Sequence, residues 1–247
     1  MRCVDWSAMW SALGWGALSA SSLVVGALLG LARQWSVRLI GLVLAFGAGA
    51  LISAVSFELF EEGAAEGSVR SVAVGLAAGG LVYFVLDGLI ERIGSSRGSD
   101  EQDGQAGTAL ALGAFLDGIP EQAVLGIGLG SGQGVSVALL VAIFVSNLPE
   151  SIGSASELRA EGRTRRFILR LWIAVAVVCW LATPLGYGAA NVTSGDLKAI
   201  INGFAAGALL VMLVDSMIPE AAAKARRPAG LATVLGFSLA AGLSSVS

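Results

Sequence analysis

The sequence predicts an all-α integral membrane protein, and three observations carry that prediction. Of its 247 residues 55% are hydrophobic and only 13% are charged, where a soluble domain carries about a quarter charged residues. The apolar residues gather into eight runs, each near the ~20 residues that a helix needs to cross a bilayer. The basic residues collect in alternate loops between those runs, which is the charge asymmetry that orients membrane helices. The whole chain, 1–247, reads as one integral-membrane domain.

The runs lie at approximately 11–31, 37–60, 71–93, 107–130, 134–157, 167–190, 198–219 and 228–246, the last rich in Gly and Ala. Before Ser11 there is one Arg and one Asp, not the basic n-region of a cleaved signal peptide, so the first run is expected to be retained. Of the fifteen Lys and Arg, all but Arg2, Arg70 and Lys198 follow the first, third, fifth or seventh run. Both termini are therefore expected outside, in a multi-pass protein of the cell (inner or plasma) membrane.

After the second run comes an acidic group, Glu58, Glu61, Glu62 and Glu66. Two readings stand open: a vestibule that concentrates cations, or a solvated helix end. Asp87 and Glu91 close the third run near Arg92, with which pairing is expected. The segment Ser95–Gly107 is polar, acidic and rich in Gly and Ser, hence a flexible inner linker between three spans and five.

The fourth and fifth runs hold two versions of one motif, F-L-D-G-I-P-E at Phe115–Glu121 and F-V-S-N-L-P-E at Phe144–Glu150. Ser131–Gly134 is the expected turn between them, making an antiparallel hairpin with a proline and an ionisable residue halfway along each arm. A helix-interior proline frees the carbonyl four residues back, on Leu116 and Val145. A carboxylate at mid-bilayer costs a few kcal/mol on even the mildest scales, so such a residue is a functional candidate by default. Asp117 and Glu121 are i,i+4 and share a helix face; so do Ser146 and Glu150, with Asn147 three residues before Glu150. At ~1.5 Å per residue from the turn, these side chains fall within a band of roughly 9 Å. They are the expected ligands of a midplane cation site. A structural reading, with the prolines as kinks and the acids on a polar seam, is the alternative.

The sixth run, with Trp172, Trp180 and Tyr187, carries no acid; Pro184 kinks it. The seventh reads G-F-A-A-G-A-L-L-V-M-L-V-D-S-M-I-P-E at Gly203–Glu220, and Asp215 within it is expected as an exit-path ligand, with Glu220 solvated at the interface. Cys179 lies in an apolar run, and there is no histidine. Thirty-four glycines suit close packing of membrane helices.

Taken together, the eight runs, the Pro-Glu pairs, L-R-A-E-G-R-T-R-R after the fifth run and G-F-A-A-G…I-P-E in the seventh resemble the ZIP (Zrt-/Irt-like) family of divalent metal transporters, in its GufA-like bacterial branch. The resemblance implies a 3+2+3 arrangement in which the first and last three spans are inverted repeats around the hairpin, a metal site on spans four and five, and uptake toward the cytoplasm. The family pattern usually starts span four with His-Asn, where this chain has Asp117 and Gly118, and follows each Pro-Glu with Gly, where this chain has Gln122 and Ser151. Glu121, Asn147 and Glu150 match it.

The transported ion is then zinc by resemblance. The ligands on offer are all oxygen, which also suits manganese or iron. Two other functions use the same scaffold: a proton or small-solute carrier or channel, and a transport-dead membrane sensor. The expected partners are the divalent cation and membrane lipid, with a homodimer left open. A net charge of −3 without a basic patch points away from nucleic acid. No catalytic triad, phosphate loop or nucleotide motif appears, so neither an enzyme nor an organic cofactor is expected.

Overall fold

The computed structural model describes residues 6–96, 106–130, 136–191 and 195–245. The described residues are almost entirely helical, with no strand among them. They form eight rods: α1 Trp6–Ala32, α2 Val37–Glu66, α3 Val69–Ser96, α4 Ala106–Gly130, α5 Val137–Ala160, α6 Arg165–Asn191, α7 Asp196–Ala225 and α8 Pro228–Ser244. Six of them, α1, α2, α3 and α5–α7, contain stretches long and apolar enough to cross a membrane. The others are α8, which is apolar but only 17 residues long, and α4, whose middle holds Asp117, Pro120, Glu121 and Gln122. The Ser131–Gly134 turn and most of the Ser95–Gly107 linker lie outside the described residues, as do Cys3 and the Glu91 and Arg92 side chains.

Two rods run past their expected ends. The second run continues as helix to Glu66 and the seventh to Ala225, each by way of a wide π-helical turn, at Val55–Glu61 and Leu213–Met217 respectively. The acidic group at Glu58–Glu66 therefore rides on a helix and is not a loop. Ser36 and Ser136 start α2 and α5, their hydroxyls accepting from the Leu39 and Leu139 amides at 3.2 and 3.1 Å, as N-cap serines do.

The most extensive helix pairings are α3 with α7, α4 with α6, α2 with α8 and α1 with α5. Exchanging α1 with α6, α2 with α7, α3 with α8 and α4 with α5 carries these four pairings into one another. Closest approach is made where glycine removes a side chain. A Cβ at Gly126 would fall 2.0 Å from the Thr183 carbonyl oxygen, and one at Gly186 would fall 2.2 Å from that of Ala123, so α4 and α6 pack backbone to backbone. Such contacts give van der Waals energy where lipid offers no hydrophobic drive.

Polar contacts tie the rod ends together. At one end Lys198 pairs with Glu66, and Ser71 donates to Asp196 at 2.7 Å. At the other, the Arg159 guanidinium donates to the Leu31 carbonyl and so caps α1 from the end of α5. Arg159 belongs to the basic segment after the fifth run, and here it joins two helices.

Candidate metal centre

Pro120 and Pro149 both sit inside unbroken helices, with Glu121 and Glu150 one residue on. The lost amide donors free the Leu116 and Val145 carbonyls without ending either helix. The hairpin arms meet at this level. Ser146 Oγ lies 2.8 Å from Glu121 Oε1 and 2.9 Å from the Ile143 carbonyl, so its one proton serves either acceptor. Gly47 of α2 backs this contact: a Cβ there would lie 2.9 Å from Ser146 Cα.

Burial is nearly complete. Asp117 is 3% exposed, Glu121 and Asn147 1%, and Ser146 0%. Glu150 lies within the field of Asp117 and Glu121, and none of the three carboxyls is in an ion pair among the described residues. Three buried acceptors, Glu121 Oε2, Asn147 Oδ1 and Glu150 Oε2, make no protein hydrogen bond, and neither does the donor Asn147 Nδ2, on the amide that lies beside Glu121. A buried polar atom left unmatched costs about 1–3 kcal/mol, more when charged, so a cluster of three is an expensive arrangement.

Asp117 is held differently. Tyr83 of α3 donates its hydroxyl to Oδ1, and Ser216 of α7 donates to Oδ2 at 3.1 Å. Among the described residues no three carboxylate or thiol groups converge as a ready-made metal cluster. Asp215 is not brought to the site: it is exposed on α7, and its neighbour Ser216 faces inward instead. Glu220 is half-buried and pairs with Lys224 at 2.5 Å. Cys179 is buried, its Sγ 3.8 Å from the Phe115 carbonyl, beside Gly118.

Sequence reasoning missed Tyr83, Ser216 and a third contact, Thr183 Oγ1 donating to Gln122 Oε1 at 2.7 Å. Nothing in an apolar stretch around Tyr83 marks its hydroxyl as a partner for a residue 34 positions on.

A profile of the family described as ZIP Zinc transporter matches residues 91–244, from the end of α3 through α8. The chain belongs to the ZIP zinc transporter family. The matched stretch takes in both Pro-Glu motifs and the seventh rod, well over half of the sequence. No curated protein matches the chain. As a ZIP protein with six apolar helices long enough to cross a bilayer, it is a multi-pass membrane protein of a metal-transporting, non-enzymatic family, with divalent cations as transported substrate.

Proposed function

We propose that this ZIP protein carries a divalent cation across the cell membrane toward the cytoplasm, through a site on α4 and α5 built from Asp117, Glu121, Ser146, Asn147 and Glu150. The observation that carries the reading is the cluster of partnerless buried acceptors, Glu121 Oε2, Asn147 Oδ1 and Glu150 Oε2. A cation supplies what all three lack, a positive partner. Ser146 Oγ and the carbonyls freed at Leu116 and Val145 add neutral oxygens to the set. Asp215, exposed on α7, stands outside it.

The proposed donor set is all oxygen, and the chain has no histidine. Hard oxygen ligands accept manganese, iron(II) and, through carboxylates, zinc; family membership favours zinc. The eight rods fit eight crossings in a 3+2+3 arrangement, supported by the pairings that exchange under the α1–α3 to α6–α8 swap. The basic bias of alternate loops supports an orientation with both termini outside. The test is cation accumulation by the purified protein in proteoliposomes, with zinc, manganese and iron(II) in competition. Accumulation of at least one ion, lost in Glu150→Gln, is expected. No accumulation of any of the three by folded protein rules the proposal out.

A further inference from the structure

One carboxylate of the proposed site is already engaged on both oxygens. Asp117, on α4, accepts from the Tyr83 hydroxyl of α3 and from Ser216 Oγ of α7, and neither α3 nor α7 contributes any other proposed ligand. Glu121 and Glu150 each keep one buried oxygen without a donor. The acids are thus split: Asp117 is met by two hydroxyls, while Glu121 and Glu150, which lie within its field, each keep an oxygen open.

The position of Ser216 is marked in a second way. Glu58 of α2 and Ser216 of α7 lie on rods that exchange under the pairing swap, each nine residues after the glycine of a Gly-Ala-Leu (Gly49–Leu51 and Gly207–Leu209), a tripeptide that also occurs twice in α1, at Gly16–Leu18 and Gly26–Leu28. Both lie in the π-helical turn of their rod. Both make a side-chain bond to a hairpin helix: Ser136 at the start of α5 donates to Glu58 Oε1 at 2.7 Å, and Ser216 donates to Asp117. Ser244 of α8 also donates to that Glu58 oxygen, at 2.9 Å, as Tyr83 of α3 donates to Asp117. A π turn inserts a residue and re-aims the side chains around it, and such turns gather at functional sites. Ten residues separate Ser136 from Ser146, and Asp117 lies a further turn along α4 from Glu121, so the two ties stand roughly 20 Å apart along the bundle.

We propose that Tyr83 and Ser216 are competing partners of Asp117: the two hydroxyls lock its carboxylate to α3 and α7, and a divalent cation binds at full strength only once Asp117 leaves them. The inference rests on the cation site proposed above. The hydroxyls take one lone pair on each oxygen and fix the direction of the carboxylate, and a cation that draws on the charge of Asp117 weakens both bonds. The carboxylate therefore has two discrete arrangements, one hydroxyl-bound and one cation-bound. A ligand that binds one of two states more tightly shifts the population toward it, and whatever stabilises the other state weakens that ligand. Occupation of the site is thereby coupled to release of the hairpin from α3 and α7.

The test uses the full chain in detergent, titrated calorimetrically with Zn²⁺ and Mn²⁺ in wild type, Tyr83→Phe, Ser216→Ala and Ser216→Thr. Removing either hydroxyl takes away a bond to a charged group, so each of the first two variants is expected to bind the ion roughly tenfold more tightly. Ser216→Thr restores the hydroxyl and returns the wild-type affinity. Tightening is the informative sign, because damage to packing alone weakens binding. Should Tyr83→Phe not fold, Ser216→Ala carries the test alone, its side chain being only half-buried. Wild type that binds both ions, with folded variants showing unchanged or weaker affinity, overturns the lock and leaves the site standing. Wild type that binds neither ion removes the site and the lock together.

Discussion

Replacing Glu121 by Gln separates what this carboxylate does for the fold from what it does for a cation. Its Oε1 is within 2.8 Å of Ser146 Oγ, and its Oε2 has no partner. Gln keeps the first oxygen as an acceptor. It replaces the second with an NH₂ beside the Asn147 amide, whose Oδ1 is also without a donor. The variant should therefore fold as well as wild type, or gain about 1 kcal/mol by matching two orphans. The cation loses more. A unit charge about 4 Å from a divalent ion contributes roughly 8 kcal/mol at an effective dielectric of 20. Much of this is offset by desolvation and by the retained amide oxygen; a third of it leaves about 2.5 kcal/mol, or nearly a hundredfold in affinity. Calorimetric titration with Zn²⁺ and Mn²⁺, alongside thermal unfolding without ions, reads both quantities. A folded Glu121→Gln protein with wild-type affinity would refute the reasoning, and so would one that unfolds, since the acid would then be structural.

Four further predictions follow from other parts of the molecule. Asp215→Asn, at an exposed position outside the site, should change cation affinity less than about threefold, within what rim charges typically contribute; calorimetry checks it. Gly126→Ala puts a methyl 2.0 Å from the Thr183 carbonyl oxygen and should cost about 1–3 kcal/mol by overpacking, read as a lower midpoint of thermal unfolding. Pro149→Ala restores an amide donor to the Val145 carbonyl; it should leave the protein folded and lower uptake in proteoliposomes, and unchanged uptake would reduce the proline to a kink. Ser99→Cys should resist an impermeant thiol reagent in intact cells until they are permeabilised, as expected from the basic bias of alternate loops; labelling without permeabilisation would overturn that orientation.

The helices were legible because membrane spanning needs only length and apolarity, which the sequence displays directly. Their ends were less so. Glu58, Glu61 and Glu62 read as the exit from an apolar run, yet a wide turn at Val55–Glu61 carries the helix through them to Glu66. The meeting of Glu121 with Ser146 was legible, since the duplicated Pro-Glu motif fixes the level of both arms. Asp215 and Ser216 show the limit. The acid drew attention by its charge, but successive helical residues point about 100° apart, and the π turn at Leu213–Met217 shifts the phase again. Facing could not be counted from the helix period there. No sequence signal singled out Ser216, since the Gly-Ala-Leu nine residues before it also occurs in α2 and twice in α1.

Why such a bundle keeps three unmatched acceptors bears on what the site is for. Helices around it are packed backbone to backbone, as Gly126 against Thr183 and Gly47 against Ser146 show, so the orphans are not the result of a loose interior. Each could be removed by a single change: Asn147 to Leu, or either Glu to Gln or Met. In a membrane the saving would be larger than in water, because no bulk solvent competes for the buried group. The hydroxyls nearby are adequate for quenching a carboxylate, as Tyr83 and Ser216 do for Asp117, yet Glu121 Oε2 and Glu150 Oε2 are left without one. A purely structural polar seam would pair them. A transport site must instead hold its acceptors ready and bind the ion only moderately, since an ion held by every available ligand would not leave. Engaging one carboxylate in exchangeable hydroxyl bonds while leaving two oxygens open meets both demands with the residues this chain has.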